Sequence, residues 1–267
     1  MKLTPLLLIS LTLLVGLPAR GQVPTVADGG ILNGASFAKG QPVAPGSLVS
    51  IFGTELAASL AQADSVPLST VIGGVTVTFN GVAAPLTFVS PGQINVQVPW
   101  EVAPPDGASA DVTVVVNRGS SSSAASMVRV ASAAPGLFLF SGGAQAVAIN
   151  SADNTIAASS GSVPGFISHP AKPGDVIVLY ATGLGAVTPA VQSGQNSMDQ
   201  LRTTIGMPLV TIGGVSAQVP FSGLQPQFPG VNQLNVVIPT NVTTGASVPV
   251  TIQLNGITHQ GTFAISQ

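Results

Sequence analysis

Two histidines, His169 and His259, and nine carboxylates supply the side chains of this cysteine-free sequence that can move protons near neutral pH. Acid–base catalysis needs groups that titrate near the working pH or are tuned there by burial and neighbours. The supply is thin. His169 lies close to Asp175 in the chain, so with a distant serine it has the parts of a Ser–His–Asp set. A hydrolase built this way would need His169 or His259 beside a serine and an acid in a cleft, and no G-x-S-x-G elbow marks such a serine. Glu101 and Asp106 flank a turn, and nothing marks them as the paired carboxyls of a glycosidase. Without H-E-x-x-H, paired histidines or cysteines there is almost no raw material for zinc. Ser151-Ala152-Asp153-Asn154 lacks the ligands of a calcium loop. Gly183-Leu184-Gly185 follows a strand but lacks the third glycine and the helix of a dinucleotide site, and reads as a tight turn. No cofactor, no metal and no catalytic residue are expected.

Binding chemistry has more to work with. Trp100 and Tyr180 are the single Trp and single Tyr, and Gln192, Gln195 and Asn196 sit in a polar stretch ending at Gln200. An exposed Trp can stack on a sugar ring while amides hydrogen-bond its hydroxyls, so these five residues are the candidate ligand-binding set. The competing expectation for Trp100, just after a strand end, is packing against the end of a sandwich.

The elements that would hold these residues are written twice. Gly73–Pro99 and Gly213–Pro239 align without a gap, with eight of 27 positions identical, among them the Gly pairs, Gln93/Gln233, Asn95/Asn235 and Val96/Val236. Such self-similarity means two copies of one folding unit. In the first copy Val75, Val77 and Phe79 alternate with polar neighbours, the period of a half-buried strand. Asn80-Gly81 is a tight-turn dipeptide. Ile94, Val96 and Val98 alternate again, and Pro99 ends the ladder. Leu234, Val236 and Ile238 repeat that face. With 31 Gly and 22 Pro in 267 residues, many short strands are expected.

Residues 1–21 have the build of a secretory signal peptide. Lys2 is followed by the apolar run Leu6–Leu17, and Ala19-Arg20-Gly21 puts small residues at the cleavage positions, leaving Gln22 first. Removing Lys2 and Arg20 takes the seven basic residues to five against nine acidic ones, a formal charge of −4. That surface has no footprint for nucleic acid. No membrane span is expected in the mature chain, and stability cannot rest on disulfides. Asn241-Val242-Thr243 is a glycosylation sequon by pattern.

Pro45-Gly46 opens the strand Ser47–Phe52, which ends in Gly53-Thr54-Glu55-Leu56; Pro173-Gly174 opens Asp175–Tyr180, which ends in Ala181-Thr182-Gly183-Leu184. The offset here is 128 against 140 for the central repeat, so the second copy holds 12 additional residues within Ala186–Gly206, read as an exposed loop. Closing strands are expected at Asp111–Asn117 and Ala124–Ala131, and at Ser247–Leu254 and Ile257–Ser266. The expected fold is all-β: two tandem Ig-like β-sandwich domains, at 22–132 and 170–267, joined by a connector at 133–169 that contains a short β-hairpin.

The strings PVAPGSLVSIFGTELA, GGVTVTFNGVAAPLTFVSPGQINVQVPWEV, APGLFLF and KPGDVIVLYATGLGAVTP resemble the uncharacterised C-terminal domain of Solibacter and other acidobacterial proteins. The resemblance runs from about Gly29 to the C-terminus. Within each half, the order of Pro-Gly, strand, Gly-Thr-x-Leu and then Gly-Gly-Val to Gln-x-Asn-Val also resembles IPT/TIG-type Ig-like domains, with Ala181-Thr182-Gly183-Leu184 departing from it. The resemblance implies a bacterial, exported protein and no established activity.

The function expected from these features is a secreted, non-enzymatic module for extracellular interaction or structure, such as adhesion or surface assembly. Its partner would be an extracellular polysaccharide or a surface protein. A carbohydrate-binding module is the alternative, and a hydrolase with an unrecognised site the second.

Overall fold

A computed structural model describes residues 23–104, 108–140 and 143–267; the leader reading for 1–21 and the Asp106 end of the turn at Ala103–Gly107 fall outside them. The described chain is built of strands, with one 3-10 turn at Trp100–Val102. It forms two tandem Ig-like β-sandwiches, the all-β architecture that the alternation predicts.

In the first sandwich one sheet orders Thr25–Asn33, Leu48–Thr54, Gln93–Gln97, Leu86–Val89 and Ala61–Gln62. The other orders Ser126–Ala131, Ser109–Arg118, Val75–Phe79 and Val82–Ala83. Val49, Ile51, Ile94 and Val96 on the first sheet meet Val75, Val77, Phe79, Val114 and Val116 on the second in one buried cluster. Each side chain removed from water here contributes about 1.5–3 kcal/mol, which lets the domain stand without disulfides.

The second sandwich has its own cluster, in which Ile177, Leu179, Leu234 and Val236 meet Val210, Ile212, Val250, Ile252 and Phe263. Its strands form one continuous hydrogen-bonded path because a single long strand, Val215–Leu224, serves both layers. Val215–Ala217 pair with Leu209–Ile212, and after a bulge Phe221–Leu224 pair with Asn232–Val237. The first copy makes the same crossing in two pieces, Val82–Ala83 against Val75–Phe79 and Leu86–Val89 against Gln93–Gln97, with Pro85 between them. Asn80-Gly81 (φ 47° and 81°) turns the first copy into its crossing strand and Gly213-Gly214 turns the second, so the repeated Gly-Gly pair holds different places in the two folds. The two copies therefore differ at their first apolar position: Val75 is fully buried, while Val215 is only half-buried.

Gly73-Gly74 and Gly213-Gly214 both have positive φ, and each pair turns a tight hairpin between Ile72 and Val75 or Ile212 and Val215. The reason for glycine at Gly74 and Gly214 is conformation: a Cβ on either would meet nothing within 4 Å.

Two expectations are corrected. The segment 133–169 is more than a connector. Its hairpin, closed by Phe140 N–H donating to Gln145 O at 2.8 Å, adds Gly136–Leu137 and Ala148–Asn150 to the strand Val176–Thr182. Leu137, Ala146, Ala148 and Ala157 are part of the second core. The other correction concerns Ala186–Gly206, read as an exposed loop: its middle packs back onto the first sandwich, as described next.

Candidate functional site: the seam between the sandwiches

Turn residues and polar side chains build the seam. Pro45-Gly46 places Leu48 at the start of its strand, and Leu48 N–H donates to Thr182 Oγ1 at 2.8 Å. The Thr182 hydroxyl in turn donates to Gly230 O at 2.6 Å. Thr182 is fully buried, whereas Thr54 at the matching place in the first copy is exposed. Asn33 Nδ2 donates to Ala134 O at 2.9 Å while its Oδ1 accepts from Ala35 and Ser36 N–H, so the side chain is satisfied on both ends. The glycines admit the close approaches. A Cβ on Gly183 would lie 2.2 Å from Ala134 O, and one on Gly136 2.4 Å from Asn33 Oδ1.

A strap from the longer second copy completes the seam. Gly194 N–H donates to Gln97 Oε1 at 2.7 Å, Leu68 N–H donates to Gly194 O at 2.9 Å, and Trp100 N–H donates to Ser193 Oγ at 2.9 Å. The Ser193 hydroxyl donates to Glu101 at 2.7 Å. The insertion thus reaches across to the first sandwich. Gln97, almost fully buried, also donates to Gly46 O at 3.2 Å, so one side chain ties strap, strand and turn.

The candidate ligand residues divide between different places. Trp100 is half-buried, its ring against Gly46, where a Cβ would come within 2.1 Å of the indole. The ring is engaged in packing and does not stand free as a stacking platform. Tyr180 is half-buried on the outward side of Val176–Thr182, with Ile177, Leu179 and Ala181 facing the core. Gln192, Gln195 and Asn196 do come together, with Asp199 and Arg202, around a cleft beside the strap; neither Tyr180 nor Trp100 lines it. Asp199 and Arg202 carry no motif, and only the spacing of three that lets opposite charges meet across a turn hinted at them.

The histidines are placed apart. His169 Nε2 lies 2.7 Å from Asp153 Oδ2 and Nδ1 lies 2.9 Å from Pro170 O. Both partners only accept, so this setting favours the doubly protonated ring. The hydrogen bond to Asp153, then that to Pro170 O, raises the His169 pKa, and the His169 bond brings Asp153 down to about 2. The acid that meets His169 is therefore Asp153 and not Asp175, which instead accepts from Lys172 N–H at 2.8 Å. His259 Nδ1 accepts from Leu137 N–H at 3.0 Å, and burial lowers its pKa. Neither histidine hydrogen-bonds a serine hydroxyl among the described residues. No group of three or more metal-ligating side chains gathers there either, and no helix among them is long and apolar enough to cross a membrane.

Fold and seam together define a tandem pair of Ig-like sandwiches. The IPT/TIG domain model matches residues 35–128, the first of the two. No curated protein matches the chain. Solved structures similar to it include the titin I9–I11 tandem, at 11% identity and TM-score 0.22, covering 91% of this chain and 66% of that one. The titin Ig tandem A164–A165 is similar at 8% identity and TM-score 0.22, covering 85% and 94%. Domains 4–9 of the surface layer protein SbsC are similar at 11% identity and TM-score 0.26, covering 91% and 32%. The chain spans just under two thirds of the titin I9–I11 tandem.

Proposed function

We propose that this chain is a secreted, non-enzymatic module of the acidobacterial C-terminal kind, holding two Ig-like sandwiches in fixed relation for adhesion or surface assembly. The observation that carries the reading is the seam. Domains in one chain move relative to each other unless their interface is extensive. Here buried donors and acceptors pair across it from Asn33, Gln97, Thr182 and Gly194, and a misaligned seam would leave them unsatisfied at about 1–3 kcal/mol each. A fixed pair presents its loops at set positions, as a structural or adhesive part must. The build of residues 1–21 supports export.

The test is export and retention. Expressed in a bacterium, the protein is expected at the surface or in the medium with Gln22 as its first residue by intact mass. It is expected to stay on cell-surface material at high salt, since its mature surface is sparsely charged. A retained leader with cytoplasmic residence overturns the secreted reading. Hydrolysis of an ester, peptide or glycoside, abolished by His169→Ala or His259→Ala in a folded protein, overturns the non-enzymatic one.

A further inference from the structure

The cleft beside the strap has a volume of about 340 Å³, within the ~300–1,000 Å³ of small-molecule sites. Val191, Gln192, Gln195, Asn196, Asp199 and Arg202 line it. Its wall is a built ion pair. Arg202, its side chain only 6% exposed, donates from Nη1 and Nη2 to the two oxygens of Asp199 at 2.6 and 2.9 Å. Nη1 also reaches Ser197 Oγ at 3.1 Å, and Nε reaches Ala190 O at 3.4 Å. A guanidinium buried this far needs its charge paired. The partner carboxylate stands in the open, 61% exposed, and keeps a spare lone pair on each oxygen.

We propose that this cleft binds an uncharged saccharide, whose hydroxyls bridge the Asp199 carboxylate and the amides of Gln192, Gln195 and Asn196. The Arg202–Asp199 pair cancels its own charge, so a charged ligand meets no unpaired opposite charge and still has to shed its water. An amide offers both donors and an acceptor, and a hydroxyl is both, so the two sets match without net charge. Ala190 and Val191, the apolar part of the lining, give too little surface to hold an aromatic or aliphatic ligand. The shape is set before binding: Gly194, between Gln192 and Gln195, is pinned to Gln97 and Leu68, and Arg202 O accepts from Leu224 N–H at 3.0 Å on the far side. A loop already ordered loses little entropy on binding.

The experiment is calorimetric titration of the mature chain with neutral hexasaccharides of glucose, xylose, mannose and N-acetylglucosamine, and with a hexagalacturonate as charged control. At least one neutral hexasaccharide is expected to bind with a Kd of about 1 mM or tighter, unchanged at ~0.5 M NaCl. Gln195→Ala with Asn196→Ala is expected to weaken it at least ~10-fold, while Gln62→Ala on the first sandwich leaves it unchanged. Circular dichroism and thermal melting check that the variants fold. Failure of every neutral hexasaccharide, binding of the galacturonate alone, or affinity indifferent to the double variant each overturns the proposal. The fixed-pair reading is independent, since a rigid exported chain with an empty cleft keeps the one and loses the other.

Discussion

Leu48 and Thr182 lie 134 positions apart in the chain and meet at 2.8 Å, the backbone N–H of one on the hydroxyl of the other. The same hydroxyl donates to Gly230 O, so one side chain settles two backbone groups from opposite sides of the seam. Thr182→Val keeps the shape and removes both bonds. The expected loss is about 1–3 kcal/mol, measured by urea unfolding. Relaxation of backbone ¹⁵N is expected to show the sandwiches tumbling as one body in the parent and less strongly coupled in the variant. Parental stability and unchanged coupling would remove the seam from the argument.

The repeated Gln-x-Asn is explained by one bond made twice. Gln93 Nε2 donates to Asn95 Oδ1 at 2.8 Å, and Gln233 Nε2 donates to Asn235 Oδ1 at 2.9 Å. Asn95 Oδ1 also accepts from Ser50 Oγ at 3.0 Å. Asn95→Ala is therefore expected to cost about 1 kcal/mol and Asn235→Ala less. Equal losses in equilibrium unfolding would argue against the Ser50 contribution.

The sandwiches were legible because strand alternation is a local signal: Val75, Val77 and Phe79, or Leu234 and Val236, face inward wherever their strands pair. The seam was not. Thr182 looked only like the counterpart of Thr54, since its partners Leu48 and Gly230 are far away in sequence. The strap likewise read as an exposed loop because Ser, Gln and Gly fill solvated turns as readily as a polar interface. Gln192, Gln195 and Asn196 were found from their amides, while for Arg202 the sequence offered only its spacing from Asp199, and its burial against that carboxylate is what marks it as a site residue.

Two glycines separate conformational strain from lack of space. Gly74 has φ +73° and open surroundings, so Gly74→Ala is expected to cost only the left-handed penalty of about 1–2 kcal/mol. Gly183 has φ +84°, and its Cβ would press against Ala134 O at 2.2 Å, backbone that cannot swing aside. Gly183→Ala is expected to lose at least about 1 kcal/mol more than Gly74→Ala and to loosen the seam as Thr182→Val does. Urea unfolding of the two variants side by side decides it; equal losses would mean the seam yields freely.

The two histidines are expected to respond to pH in opposite senses. His259 is lowered from 6.5 by burial, so the folded state holds its proton less tightly than the unfolded chain does. Its contribution is complete above 6.5 and is lost as pH falls through the folded value, where protonation also takes Nδ1 from Leu137 N–H. His169 is raised from 6.5, chiefly by its bond to Asp153. Its contribution is complete below 6.5 and is lost as pH rises through the folded value. Because the His169–Asp153 pair is solvent-exposed, its effect on global stability is expected to be small, and the clearer readout is local. Ring ¹⁵N shifts are expected to report His169 as the imidazolium at pH 6.5, while His259 is neutral there with its proton on Nε2. In urea unfolding across the acid range, His259→Gln is expected to flatten the fall in stability just below 6.5, and His169→Gln is not. A neutral His169 ring at that pH, or a parental acid slope in the His259 variant, would contradict these assignments.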